Sequence, residues 1–264
     1  MNKRNYIGYR PTWAEVNLNN LAYNFKQVKK LLKPSVKIMV CVKADAYGHG
    51  LIPVTKKLAE CGVDYLGVAS IDEGIKLREA GIKKPILILG LVLKEDIGPL
   101  FKYRLTPTLS AMDLALALSR RAGESGKKIK VHIKIDTGMG RIGVLCKDAL
   151  GFIKKISKLK FIETEGVFTH LACSDSDRAF TLKQINLFRG LNFKLASLGI
   201  NIPLVHAANS MGLVSYKESR FNMVRPGLVI YGLYPKKGLK IKLKQVLSLK
   251  TRVMYVKRVP QATG

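Results

Sequence analysis

The chain has 264 residues, 47% of them hydrophobic, and its 46 lysines and arginines against 18 acidic residues give a formal net charge of +28. That apolar content excludes a disordered chain, and no apolar run approaches the roughly 18 residues needed to cross a bilayer, so a soluble protein is expected. The length lies at the upper edge of what one hydrophobic core supports, which suggests one large domain plus a remnant.

The N-terminal segment MNKRNYIGYRPTW carries neither the apolar stretch nor the small-residue cleavage site of a secretory signal, which places the chain in the cytoplasm. After it, short β-branched runs alternate with longer amphipathic stretches. The strand candidates are residues 37–42, 65–69, 86–89, 105–109, 129–135, 165–169, 204–206 and 221–224; helices are expected over 51–61, 72–80, 111–122, 147–158 and 181–197. Ser70 stands three residues before Glu73 in a capping-box arrangement, and Gly62 and Gly81 fall where left-handed helix caps belong. Eight strand-helix units of this kind predict an α/β fold closed into a TIM-like (β/α)8 barrel over residues 1–239. Past Tyr234-Pro235 the pattern changes. Residues 246–259 alternate like an antiparallel strand with no helix after it, read as the first strand of an incomplete β domain over 240–264, with no sheet of its own to join.

The charge is spread as lysine pairs along the chain (Lys29 and Lys30, Lys56 and Lys57, Lys83 and Lys84, Lys127 and Lys128, Lys154 and Lys155, Lys236 and Lys237), many at helix ends or turns. This reads as a solvated surface rather than a specific nucleic-acid module, although weak nonspecific RNA binding follows from charge alone. Cys41, Cys61, Cys146 and Cys173 are scattered without the paired spacing of a zinc site, and no metal site or disulfide framework is expected.

In a barrel of this kind the chemistry sits at the carboxyl ends of the strands. The first strand runs into VKADAYGHG, which puts Lys43 at the end of an apolar run and before a glycine-rich turn. A lysine in low dielectric or beside other cations is a usable amine nucleophile for an aldehyde, while the same position equally suits a lysine that snorkels from the rim. The fifth strand ends in HIKIDTGMGRIG, where Arg141 follows a tight loop of Asp136, Gly138 and Gly140; such a loop binds phosphate or simply turns the chain. The sixth ends at Thr169-His170, the seventh at HAANS with Asn209 and Ser210 opening a helix, and the eighth at NMVRPGL with Arg225, Gly227 and Leu228.

Together these motifs closely resemble the alanine racemase family, from about Trp13 to the last residue; the one departure in the lysine signature is Asp45, where the family has Asn. The resemblance implies a pyridoxal 5'-phosphate (PLP) enzyme with the cofactor on Lys43, which is also a catalytic base for the D-alanine face. It implies that Arg141 binds the substrate carboxylate, that Lys134, carbamylated in some members, positions Arg141, and that Ser210, Gly227, Leu228 and Tyr47 contact the cofactor phosphate with Asn209 close by. His170 is expected near the cofactor ring, hydrogen-bonded to Arg225, which faces the pyridine nitrogen and, as a group that does not give up its proton, leaves that nitrogen unprotonated. The activity implied is interconversion of L- and D-alanine, supplying D-alanine for the cell wall as a peptidoglycan precursor. In the family the second base is a tyrosine of a β-rich domain delivered across a homodimer interface. Residues 246–264 resemble the lead-in to that tyrosine, with Tyr255 inside the lead-in, so a truncated and inactive chain is one expectation. A racemase for serine, lysine or another amino acid, and a single-domain PLP carrier, are the alternatives; the DTGMGRIG and RPGLVIYG runs speak against the carrier.

Overall fold

In the computed structural model, which describes residues 9–263, the strands in chain order are β1 (Trp13–Val16), β2 (Lys37–Cys41), β3 (Tyr65–Val68), β4 (Ile86–Ile88), β5 (Thr108–Leu109), β6 (Ile129–Asp136), β7 (Val144–Leu145), β8 (Ile162–Phe168), β9 (Leu204–His206), β10 (Met223–Val224) and β11 (Leu247–Lys250). The first eight residues and Gly264, at the outer ends of the two expected domains, lie outside the described residues. The runs that read as continuously apolar do so because alternate side chains enter two different cores. Along β2, Ile38 and Val40 join the large layer between strands and helices, whereas Met39 points into the barrel with Tyr65, Leu87, Phe168, Leu204 and Met223.

Parallel pairing runs in the order β4-β3-β2-β10-β9-β8-β6-β5. The ring closes through a parallel bridge between Leu87 and Thr106, where the Ile88 amide donates to Thr106 O and the Thr106 amide to Ile86 O, each at 2.9 Å. The expected eight-stranded barrel is therefore present. Its fourth and eighth strands are shorter than predicted: Pro107 has no amide to donate, so β5 proper begins at Thr108, and Phe221 has a positive φ of 42° that keeps it out of β10. The predicted helices appear as Leu51–Glu60, Ile71–Glu79, Met112–Glu124, Ala149–Ile156 and Arg178–Ser197. Gly62 and Gly81 adopt the left-handed cap, at φ of 84° and 83°. Ser70 caps as expected by accepting from the Glu73 amide, but the Glu73 carboxylate goes elsewhere, as described below.

Two features depart from the expectation. Helix Leu18–Lys30, capped by Asn17, is not among the predicted elements; it buries Leu21, Phe25 and Val28 and ties its buried Asn24 to Ile230 O and Lys244 O. The terminal strand does find a partner: β11 pairs antiparallel with β1, Trp13 opposite Lys250 and Val16 opposite Leu247. β1 spans only four residues, so the ladder stops at Lys250 instead of running to 259, and Val253, Met254, Tyr255 and Val256 beyond it are exposed. Among the described residues no helix is long and apolar enough to cross a membrane.

Candidate active site

At the carboxyl end of the barrel lies a cavity of about 670 Å³ whose lining includes Lys43, Tyr47, Lys134, Arg141, His170, Asn209, Ser210, Arg225, Gly227 and Leu228. All ten residues singled out in the sequence thus meet at one place, although they come from separate turns of the barrel. The lining carries four basic side chains, Lys43, Lys134, Arg141 and Arg225, against one acidic residue, Asp175. Such a cavity receives an anion.

Lys43 leaves the end of β2 half-buried, and the chain then does something rare for L-residues. Ala44, Asp45, Ala46 and Tyr47 form a left-handed turn, with φ between 52° and 56°. At roughly 1–2 kcal/mol per residue this turn costs on the order of 4–8 kcal/mol, so the surroundings must hold it. Glu73 does so from the neighbouring strand-helix unit, its carboxylate accepting from the Ala44 amide at 2.6 Å and the Ala69 amide at 2.7 Å. Asp45 accepts from the Leu51 amide at 2.7 Å, placing an anion at the start of the following helix. The departure from asparagine at this position therefore keeps a side-chain acceptor. Tyr47 packs on Tyr231 with ring centroids 4.9 Å apart, and burial pushes its hydroxyl well above the usual phenol range.

The loop before Arg141 is built by Asp136, whose carboxylate accepts from the amides of Gly138 and Met139 at 2.8 Å and of Gly140 at 2.9 Å. Burial works to raise this carboxyl, but the three amides outweigh it and hold it below the ordinary range. Lys134, only 4% exposed, lies 4.5 Å from the centre of the Phe168 ring. Burial, with Arg225 and Arg141 nearby, pushes its ammonium down to about 6.

Ser210 Oγ accepts from the Gly227 amide at 3.0 Å and the Val229 amide at 3.4 Å, joining the seventh and eighth strand ends. Asn209 caps the short helix Ser210–Ser215 by accepting from the Gly212 amide at 2.8 Å and exchanges hydrogen bonds with Ser174. A Cβ at position 227 would stand 2.7 Å from the Tyr47 hydroxyl oxygen, so only glycine leaves this wall open. Ser210→Ala strips two buried amides of their acceptor and is expected to lower stability by about 1–3 kcal/mol in urea denaturation.

The predicted partner of Arg225 is corrected. Its Nη1 donates to His206 Nδ1 at 2.8 Å, not to His170; Nη2 donates to the carbonyls of Thr169 at 2.6 Å and Ala207 at 3.1 Å. Burial lowers the guanidinium to about 10, still charged at neutral pH. His170 lines the cavity with its carbonyl bonded by Gln184, and burial beside Arg225, Lys134 and Arg141 pushes its imidazole down to about 2. Phe168 lay outside the sequence motifs, and His206, which opens the HAANS run, was given no role there; their rings stack at 4.8 Å. Their signal was positional: each ends or nearly ends a strand just below a marked residue.

Fold and site together define a (β/α)8-barrel protein whose mouth presents a lysine in a cation-rich, anion-receiving cavity. The family described as "Alanine racemase, N-terminal domain" matches residues 16–235, and the chain belongs to the alanine racemase family. It is 49% identical over 258 residues to the alanine racemase of Halothermothrix orenii, covering 97% of this chain and 68% of that protein, and 41% identical to that of Methanococcus maripaludis, covering 96% and 69%. Among solved structures, alanine racemase of Clostridium difficile 630 in complex with cycloserine superimposes with a TM-score of 0.91 at 38% identity, covering 96% of this chain and 71% of that one. The Bacillus anthracis alanine racemase with bound L-Ala-P gives 0.88 at 35% identity, covering 98% and 68%.

Proposed function

We propose that this chain is the cofactor barrel of an alanine racemase, holding PLP on Lys43 and interconverting L- and D-alanine in the cytoplasm to supply the cell wall. The observation that carries the reading is the convergence of all ten motif residues on one cavity lined by four basic side chains and one acidic residue. The residues present fit the cofactor: an amine for its aldehyde, and a phosphate pocket of Ser210, Gly227, Leu228, Tyr47 and Asn209 in which a side chain at 227 would collide with Tyr47.

PLP, when bound, supplies an electron-accepting ring that makes the α-proton of an amino acid removable. Lys43 would anchor it, and its amine would carry a proton to and from one face of the substrate. Arg225, a cation at neutral pH, would hold the nitrogen side of the ring as a donor that does not give up its proton. Arg141 binds the substrate carboxylate, with Lys134 beside it. An acid-base group is needed for the other face as well; the one tyrosine of the lining, Tyr47, is given to the phosphate pocket, and burial raises its hydroxyl well above the usual phenol range. We assign it to a tyrosine of a β-rich domain brought to this cavity across a homodimer interface, with residues 240–264 leading into that domain.

The test is incubation with PLP and borohydride followed by peptide mapping, with a D-alanine assay on the same preparation. Wild type should carry the reduced label on Lys43, and Lys43→Ala should carry none and show no racemisation. A label elsewhere, or labelling that persists in Lys43→Ala, overturns the assignment.

A further inference from the structure

Below the cavity a row of polar side chains descends through the barrel interior, where apolar packing is the rule. Arg225 Nη1 meets His206 Nδ1 at 2.8 Å, His206 Nε2 meets His132 Nδ1 at 2.9 Å, and His132 Nε2 meets Glu165 Oε2 at 3.2 Å. Both imidazoles are fully buried. The Glu165 side chain is 13% exposed near the amino-terminal end of the barrel, where Tyr65 Oη donates to its Oε2 at 2.6 Å and Lys130 Nζ to its Oε1 at 2.8 Å.

The backbone is shaped to make this row. β6 and β8 pair Val131 with Thr164 but His132 with Gly166, so Glu165 is the extra residue of a β-bulge. A bulge re-aims the side chain it adds. The next residue has to be glycine, because a Cβ at position 166 would lie 2.4 Å from His132 Nδ1. A bulge that points a carboxylate inward and a glycine that makes room for the ring it meets are two independent local features serving one arrangement.

Proton positions along the row follow from donor chemistry. Arginine only donates, so His206 Nδ1 accepts and its Nε2 carries the proton; His132 Nδ1 then accepts, and its Nε2–H faces the carboxylate. Every bond points from Arg225 toward Glu165, and a chain of aligned bonds in a low-dielectric interior polarises its members. We propose that Glu165 and His132 are positioning residues for Arg225: acting through His206, the carboxylate at the far end of the barrel fixes the orientation of the guanidinium at the cavity floor and strengthens the acceptor that holds it. The bearing of this on the cofactor rests on the role given to Arg225 above. The charge states agree with it. Burial raises the Glu165 carboxyl, but the donors His132, Lys130 and Tyr65 outweigh burial and hold it down to about 2, while burial keeps His206 well below the usual histidine range and also lowers His132.

The test is imidazole 15N and 1H NMR of the histidine-labelled chain without cofactor; the four histidines are assigned with His49→Gln and His170→Gln, and the interior pair by the coupling across their shared hydrogen bond. Both interior rings should be neutral with the proton on Nε2. Glu165→Gln, although three hydrogen bonds away from the guanidinium, should move the His206 Nε2–H proton upfield. Tyr65→Phe takes one donor from the same carboxylate oxygen and should move it the other way; this second variant decides the matter if the first does not fold. Glu163→Gln removes an equal charge from the same strand, where Glu163 faces only Lys130 at 3.8 Å, and should leave both rings unmoved. A proton on Nδ1 of either ring, a His206 signal indifferent to both Glu165→Gln and Tyr65→Phe, or an equal response to Glu163→Gln overturns the proposal. Because the readout needs no PLP, it fails independently of the Lys43 labelling: labelling without the ordered row sinks this inference alone, and the row without labelling sinks the functional reading alone.

Discussion

Gly166→Ala should be among the most damaging single-methyl changes in the barrel, lowering stability by about 3–6 kcal/mol, the sum of overpacking and of two buried polar bonds left unmade. The added Cβ would stand 2.4 Å from His132 Nδ1 and 2.5 Å from Cε1. Neither side has slack. Gly166 sits in β8 between pairings to β6 and β9, and the ring is held at both nitrogens by His206 and Glu165. If the ring moves, the interior loses its ordered row; if β8 moves, the ladder on both sides loses register. For a domain of this size the loss corresponds to a fall in melting temperature on the order of 10 °C. Gly190→Ala is the contrasting case: a Cβ there meets nothing within 4 Å, inside helix Arg178–Ser197, so it should be neutral or stabilising by up to about 1 kcal/mol. Combining Gly166→Ala with His132→Ala should recover part of the loss, because the clash then has no second partner. A Gly166→Ala protein that melts with wild type would show that β8 adjusts freely and would remove the bulge from the argument.

Much of the barrel was legible because its signals are local. Uninterrupted apolar runs such as 38–42 announce strands covered on both faces, and glycines after amphipathic stretches announce helix ends. The site residues were legible for a different reason: they follow strand ends, where this architecture concentrates chemistry, and their motifs match a known family. What escaped has no local signature. Helix Leu18–Lys30 is rich in asparagine, and its place is set by distant partners, Asn24 reaching Ile230 and Lys244. β11 is a strand only because β1, more than 200 residues earlier, lies alongside it. The interior row was hidden because Glu165 reads as an ordinary charged residue in a strand, and only the bulge, a property of two paired strands, turns it inward. The misassigned partner of Arg225 has the same origin. His170 and His206 both follow strands, and nothing in their neighbours tells which one the guanidinium reaches.

Lys134→Met should stabilise the chain at acidic and neutral pH, and the gain should shrink as pH rises. Burial, and then Arg225 and Arg141, push the native ammonium down to about 6 from its ordinary 10.5. Below the native value both folded and unfolded chains carry the proton, and the folded state bears the full penalty of a buried cation. Between the two values only the unfolded chain is protonated, so native stability rises with pH; above the unfolded value the penalty is gone. Removing the amine therefore gains on the order of a few kcal/mol near pH 6 and little near pH 10, read as the difference between wild-type and variant denaturation midpoints across that range. A constant difference would mean that the amine is charged and paired in the folded state. The same depression gives Lys134 its chemistry. At neutral pH the neutral amine can add to carbon dioxide, with loss of one proton, to form a carbamate, which puts an anion where Arg225, Arg141 and Lys43 attract one. Bicarbonate should therefore raise the wild-type melting temperature, with a mass increase of one carbon dioxide under native conditions, and should leave Lys134→Met unchanged. Equal stabilisation of both proteins would assign the effect to ordinary anion binding in the cationic cavity. Stabilisation confined to wild type would mean that covalent modification of Lys134 places an anion among the cations of this cavity.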